Sequence, residues 1–124
     1  MTTYVSALDG RIRAAIIVCY LSTLTDALND RGRGNTCGSQ FMFGLRQHGE
    51  VSDVAGLIAP RPCMVQIASN DTCFIEADAK SAFSHLEQIY AAAGSGDNLE
   101  LDYFEGGHEV NLEPAVAFFK KHLR

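Results

Sequence analysis

The chain has 124 residues, enough for one domain, and its 47% apolar and 20% charged residues are typical of a globular protein rather than a disordered one. The net charge is −5 with no basic stretch, so neither nucleic acid nor an anionic membrane is expected as a partner. No apolar run approaches the ~20 residues of a membrane span. The N-terminus does not have the pattern of a signal peptide, and a cytoplasmic location is therefore expected.

The first half of the chain predicts one helix, one strand and a long irregular segment. Thr2 to Leu8 is typical of the end of a helix, with Asp9-Gly10 as its stop signal. Ile12 to Tyr20 is an apolar run rich in β-branched residues, which favours a strand covered on both faces. Leu21 to Gly49 has little periodicity and predicts loop, with one short helix at Leu24–Asn29.

The second half alternates helices and strands, which predicts an α/β fold. Apolar runs mark the strands, while helical spacing of apolar residues and Pro or Gly boundaries mark the helices. The predicted elements are helix Ser52–Ile58, strand Cys63–Ala68, helix Glu76–Ala93, strand Leu99–Phe104 and helix Leu112–Leu123. The expected architecture is a three-layer parallel-sheet fragment of about three strands flanked by helices.

Two chemically suitable side chains follow consecutive strands of this predicted sheet. Asp71 comes three residues after strand Cys63–Ala68, and His108 comes four residues after strand Leu99–Phe104. Because functional residues gather at the carboxyl ends of parallel strands, both are expected at one edge of the sheet. An aspartate that orients a histidine base is the pairing used in nucleophilic hydrolysis. Asp78 is the alternative acid, although it falls within a helical pattern.

The four cysteines have no spacing typical of a metal site or a disulfide framework. Cys19 and Cys63 lie in apolar runs and are expected to be buried thiols, whereas Cys37 and Cys73 lie in loops and are candidates for thiol chemistry. Neither a metal nor an organic cofactor is expected.

Three segments in order resemble the C-terminal half of an α/β-hydrolase, and most closely its dienelactone-hydrolase-like and acetyl-xylan-esterase-like branch. They are LDGRIRAAIIVCYLST, DVAGLIAPRPCMVQIASND and YFEGGHEV. The resemblance implies that Asp71 is the triad acid and that His108 is the triad base. It also implies that residues 1–124 form one partial domain, with residues 21–49 as an insertion over the site, where Phe41 and Phe43 would contact the substrate. Tyr20, at the end of the first predicted strand, is expected at the same edge as Asp71 and is a further candidate substrate contact.

The serine nucleophile of that family is the feature that this sequence does not contain. The family carries it in G-x-S-x-G, ahead of the acid and the base, and no such motif occurs here. The helix Thr2–Leu8 resembles the helix that follows the motif, so the sequence is expected to start a few residues too late. The segment Gly34–Gly38 places Thr36 and Cys37 in a similar pattern, but no buried strand precedes it.

The sequence therefore leaves three hypotheses. The leading one is the C-terminal part of a serine ester hydrolase acting on small acyl or acetylated-carbohydrate esters, with little turnover by this chain alone. The alternative is a non-catalytic α/β module that forms a homo-oligomer through the exposed strand Ile12–Cys19. A third is thiol chemistry at Cys37 or Cys73.

Overall fold

A computed structural model describes residues 1–24 and 42–123, and in these ranges it contains four α-helices and three strands. In chain order they are α1 (Thr2–Leu8), β1 (Ala15–Val18), α2 (Val51–Gly56), β2 (Cys63–Ala68), α3 (Glu76–Ala92), β3 (Leu99–Phe104) and α4 (Leu112–His122). Short 3₁₀ turns lie at Leu45–Gln47 and Gly96–Asn98. The predicted α/β class is confirmed. None of the described helices has both the length and the apolar character needed to cross a membrane.

The strands form one parallel sheet in the order β1-β2-β3, so consecutive strands are neighbours. Ala15 pairs with Cys63, and Cys63 pairs with Leu99. All six residues of β2 are buried because this central strand is covered on both faces, as its continuous apolar sequence predicts.

Strand β1 is shorter than predicted at both ends. The sequence predicted Ile12–Tyr20, but the paired residues are Ala15–Val18. The Ile12 N–H donates to the Asp9 carbonyl in a turn before the strand. At the other end Cys19 has φ of 44°, a left-handed conformation that takes the chain out of the extended state. Apolar character continues past both points, so hydrophobicity alone did not reveal where pairing stops.

The two faces of the sheet have separate apolar clusters. The larger lies between the sheet and helices α2 and α3, and its buried members include Ile17, Val65 and Leu86. The smaller lies under α4, where Ile16 and Phe118 are buried together. This division confirms the layered arrangement and places the loops after β2 and β3 at one edge, as expected for parallel strands.

The predicted insertion 21–49 is described only at its ends. Leu24 is buried, and its N–H donates to the Glu50 carboxylate at 2.9 Å. Residues 25–41 lie outside the described part of the chain, and with them most of the helix predicted at Leu24–Asn29 and the pattern around Thr36 and Cys37. The division into one partial domain with an insertion stays a prediction.

Candidate functional site

The loops after β2 and β3 bring Asp71 and His108 into direct contact. Nδ1 of His108 lies 3.0 Å from Oδ2 of Asp71. The Asp71 side chain is 1% exposed and the His108 side chain is 51% exposed, so one partner is buried and the other is open to solvent. The positions of these residues after neighbouring strands account for their meeting, because parallel strands present their carboxyl ends at the same edge.

Asp71 is fixed by the backbone of its own loop. Its Oδ1 accepts hydrogen bonds from the N–H groups of Cys73 at 2.7 Å and Phe74 at 3.0 Å. The other carboxylate oxygen faces His108. One carboxylate oxygen of this buried side chain is therefore held by the loop backbone and the other by the imidazole, which fixes the orientation of both.

Burial alone would raise the pKa of Asp71, but the hydrogen bonds from His108, Phe74 and Cys73 outweigh it and lower the pKa below its usual value. The carboxylate is consequently ionised at neutral pH. An ionised carboxylate has no proton to donate, so the His108 Nδ1–H must be the donor in this contact. The neutral ring then carries its lone pair on Nε2, the atom that a general base uses.

His108 is supported from one side by an aromatic ring. The imidazole and the Phe74 ring are stacked, with centroids 5.8 Å apart and an interplanar angle of 15°. The same Phe74 ring contacts Tyr20, at 5.6 Å between centroids. The row continues to Tyr4, whose ring lies 6.3 Å from that of Tyr20. An aromatic wall therefore leads away from the imidazole along the sheet edge.

Gly106 is closely approached by two neighbouring side chains. A Cβ at this position would lie 2.6 Å from the Phe104 ring and 2.9 Å from a Glu109 carboxylate oxygen. The Gly106 carbonyl also accepts the Asn70 N–H at 2.9 Å. This hydrogen bond connects the loop that carries His108 (residues 105–111, the histidine loop) to the loop that carries Asp71. Neither Gly106 nor Gly107 has a positive φ.

A polar network around the buried Gln66 side chain fixes the far end of the histidine loop. The Gln66 side chain, within β2, donates to the Asp102 carboxylate at 2.9 Å and to the Asn111 carbonyl at 2.7 Å. Its Oε1 accepts the Asn111 N–H at 3.3 Å. Asn111 is the residue immediately before α4, so this network sets where the loop ends and the helix begins. A glutamine within an apolar strand was the available sequence signal, and we missed it.

Cys19 is a third member of the site, which sequence analysis did not anticipate. It was expected to be a buried thiol and it is buried, but its sulfur, an Asp71 carboxylate oxygen and a His108 ring nitrogen all lie within 4.8 Å of one another. The thiol donates to the Glu109 carbonyl at 3.4 Å, underneath the histidine loop. Burial raises the pKa of this thiol, and the nearby Asp71 charge adds to the effect. Its place at the end of β1 was the signal that would have revealed it.

Of the three predicted substrate contacts, Tyr20 and Phe43 lie in the described part of the chain. Tyr20 is half-buried, its hydroxyl donates to the Tyr4 hydroxyl at 3.3 Å, and it lines a cavity of about 440 Å³ with Met42. Burial raises the pKa of Tyr20 far above its usual value, so the phenol stays neutral. Phe43 is fully exposed and does not line this cavity. Phe41 lies outside the described residues.

The remaining titratable candidates lie elsewhere on the molecule. His85 is exposed and pairs with Asp53 at 2.7 Å, and His122 is mostly buried against Phe118 and Glu100. Helix α4 turns the His122 side chain toward the sheet, where its Nε2 lies 3.1 Å from a Glu100 carboxylate oxygen on β3. The described cysteines Cys19, Cys63 and Cys73 are free thiols.

Comparison with known proteins gives a partial similarity to a solved structure. No protein-family model and no curated protein matches the chain. A solved structure named Methylesterase BT1017 is similar, with 26% sequence identity and a TM-score of 0.48. The match covers 57% of this chain and 16% of that protein, so the chain corresponds to a small part of its length.

Proposed function

We propose that Asp71 and His108 are the acid and the base of a serine carboxylic-ester hydrolase, and that this chain is the C-terminal part of that enzyme. The supporting observation is the 3.0 Å contact between a half-exposed imidazole and a buried, ionised carboxylate at the carboxyl edge of a parallel sheet. The resemblance of three ordered segments to α/β-hydrolases of the dienelactone-hydrolase-like and acetyl-xylan-esterase-like branch agrees with this role.

In the proposed reaction a serine in a segment ahead of residue 1 is the nucleophile. His108 Nε2 takes the proton of the serine hydroxyl as its oxygen attacks the ester carbonyl, and Asp71 stabilises the imidazolium that forms. The same nitrogen then returns the proton to the departing alcohol, leaving an acyl-serine. Water, activated by His108, hydrolyses the acyl-serine and regenerates the enzyme. None of these steps requires a metal or an organic cofactor.

The proposed substrates are small acyl esters, including acetylated carbohydrates. The rings of Tyr4 and Tyr20 line the cavity of about 440 Å³, and the buried Phe74 ring connects them to His108. Aromatic faces of this kind stack on sugar rings and cover small acyl groups, and the neutral Tyr20 hydroxyl adds a hydrogen-bonding group. Phe41 and Phe43, which belong to the insertion 21–49, remain proposed contacts of the substrate.

A second candidate is a non-catalytic module that associates through the open side of β1. In the described sheet β1 pairs only with β2. Beside it lies an apolar groove of about 580 Å³, whose lining includes Ile16, Val18, Val116 and Phe119. Unpaired strand edges favour association with another chain, and a homo-oligomer is the proposed outcome.

The test of the hydrolase proposal begins with the DNA immediately upstream of the Met1 codon. We expect an in-frame extension that encodes a strand, G-x-S-x-G and a helix continuing into Thr2–Leu8. The extended protein should hydrolyse p-nitrophenyl acetate, and His108→Ala or Asp71→Asn should each lower kcat by about four orders of magnitude. The matched control is His85→Ala, which removes an exposed histidine paired with Asp53 and should leave kcat unchanged.

Two outcomes would contradict the hydrolase proposal. A stop codon directly upstream, with a ribosome-binding site before Met1, would mean that no segment supplies the serine. Ester hydrolysis by the extended protein that survives both the His108 and the Asp71 substitutions would place the active site elsewhere. The first outcome would leave the non-catalytic module as the better candidate.

A further inference from the structure

The cluster of Cys19, Asp71 and His108 has a composition that the acid–base role does not use. A thiol takes no part in orienting or deprotonating the imidazole, yet the Cys19 sulfur lies within 4.8 Å of both other ligand-type atoms. We propose that the three side chains form a site for Zn²⁺ or a similar thiophilic divalent cation, with Cys19 Sγ, an Asp71 carboxylate oxygen and one His108 ring nitrogen as ligands.

The distances are close to those that such an ion requires. Zinc binds sulfur at about 2.3 Å and nitrogen or oxygen at about 2.0–2.2 Å, so neighbouring ligand atoms of a tetrahedral ion lie about 3.3–3.6 Å apart. The Nδ1–Oδ2 distance is 3.0 Å, and the three atoms span at most 4.8 Å. Closing the remaining gap takes a movement of about 1 Å by the sulfur or the imidazole. His108 is half-exposed, so its ring has room to make this shift.

The ligand types select the class of ion. A thiolate, an imidazole and one carboxylate favour zinc and comparable transition metals, whereas calcium and magnesium require a shell of oxygen atoms. Three protein ligands leave a fourth position, which the exposed side of His108 opens to water. The charge also balances, because a thiolate and the Asp71 carboxylate together neutralise a divalent cation.

Metal binding would reverse the protonation state of Cys19. Without a metal, the Cys19 thiol donates to the Glu109 carbonyl at 3.4 Å. A bound cation requires the thiolate as its ligand, so binding displaces the proton that the thiol now shares with the Glu109 carbonyl. In the neutral ring, the Nδ1 proton must also move to Nε2 if Nδ1 is the ligand.

The backbone at Cys19 is consistent with a function for its side chain. A left-handed φ of 44° is unfavourable for a residue with a Cβ, and glycine would adopt it more readily. The conformation turns the chain at the end of β1 and places the sulfur under the histidine loop. Strained residues of this kind cluster at functional sites, where the surrounding structure maintains them.

Occupation of the site would compete with the contact between Asp71 and His108. A cation bound to both side chains takes the carboxylate oxygen and the imidazole nitrogen that now share a hydrogen bond. The metal would therefore inhibit any chemistry that uses His108 as a base. Binding itself does not rest on the proposed hydrolase function, so either proposal can fail without the other.

Cobalt(II) titration of the 124-residue protein tests the site, because Co²⁺ bound to a thiolate has a characteristic ultraviolet charge-transfer band. We expect one Co²⁺ per chain, displaced by Zn²⁺ under reducing conditions. Cys19→Ser should abolish the band, and His108→Gln should weaken binding by more than the roughly 10- to 100-fold loss caused by removing an outer-shell partner. Cys73→Ser is the control, because it removes a nearby thiol but keeps the backbone N–H that binds Asp71.

The proposal is wrong if the folded wild-type protein shows no charge-transfer band, or if Cys19→Ser retains it. Circular dichroism of each variant distinguishes a lost ligand from a lost fold. Should Cys19→Ser unfold, Cys19→Ala and His108→Gln provide the same comparison. If Cys73→Ser abolishes the band, the metal is bound by Cys73 rather than by Cys19, and the proposed site is also rejected.

Discussion

At the scale of single residues, Asp71 combines deep burial with a charge that is fully hydrogen-bonded. Its carboxylate accepts two backbone N–H groups and faces the His108 imidazole. A buried charge with fewer partners would be neutralised or would destabilise the fold. The lowered pKa of Asp71 therefore links the geometry of the site to the stability of the protein.

This linkage predicts how Asp71→Asn changes the pH dependence of stability. Because the pKa of Asp71 is lower in the folded than in the unfolded protein, its contribution is present above the unfolded value of about 3.9 and is lost as pH falls through the folded value. We expect Asp71→Asn to cost about 1.5–3 kcal/mol of unfolding free energy at neutral pH, the usual worth of hydrogen bonds to a charged group. The difference from wild type should shrink on acidification.

Urea unfolding at a series of pH values measures that difference. Asp97→Asn is the control, since Asp97 is exposed and its substitution should leave the pH profile unchanged. A gap between wild type and Asp71→Asn that stays constant from neutral pH to acid would show that ionisation of Asp71 contributes nothing to folding.

The sequence predicted part of the site because of where its residues fall along the chain. Asp71 and His108 follow strands with clear apolar runs, so topology alone brings them to one edge. Cys19 was harder to recognise because a buried thiol in an apolar run has an ordinary explanation. Its approach to the other two depends on the left-handed turn after β1, and no residue type signals that turn, since cysteine rarely adopts it. The Phe74 stack likewise depends on how the Asp71 loop folds back.

At the scale of elements, the histidine loop is a bridge between two fixed ends. One end continues from β3, and the other is held at Asn111 by the Gln66 side chain. Gln66 is 1% exposed, so its amide has no access to water if these bonds are lost. The central strand therefore controls the position of a loop that follows its neighbour.

Gln66→Leu tests this control. Leucine is of similar size, but it leaves the Asn111 N–H and carbonyl and the Asp102 carboxylate without the bonds that Gln66 makes. We expect a loss of about 1–3 kcal/mol in unfolding free energy and faster amide exchange in residues 105–111. The exposed Gln88 on α3 provides the control: Gln88→Leu should change stability by about 0.5 kcal/mol or less. Unchanged exchange in the loop of a folded Gln66→Leu protein would refute the bridging role.

The strand and helix positions were predicted closely wherever local chemistry marks both ends. β2 and β3 have their predicted bounds, and α3 and α4 end one residue early. α2 begins one residue before the prediction and ends two residues early, where turns continue as far as Pro60. β1 deviates most, because its apolar run outlasts its hydrogen bonding. Hydrophobicity predicts burial, whereas strand limits depend on which backbone groups find a partner.

At the scale of the whole molecule, the two edges of the described sheet differ in character. Residues of β3 are partly exposed and include Glu100 and Asp102, and charges on an edge strand discourage pairing with another chain. β1 has buried or half-buried apolar residues and borders the groove between α1 and α4. We therefore propose that any self-association uses the β1 side rather than the β3 side.

Val116→Lys tests whether that side mediates self-association. Val116 is 48% exposed on α4 and lines the groove, so lysine is tolerated in the single chain but would be buried in a dimer that covers the groove. Burial of an unpaired charge should weaken association at least about tenfold, which corresponds to ~1.4 kcal/mol. Leu101→Lys is the matched control, because Leu101 is 44% exposed on the opposite edge strand.

Sedimentation velocity over a concentration series should show that the wild type and Leu101→Lys are oligomeric and that Val116→Lys is a monomer. A monodisperse wild-type monomer, or equal dissociation by both substitutions, would exclude the β1 side as the specific interface.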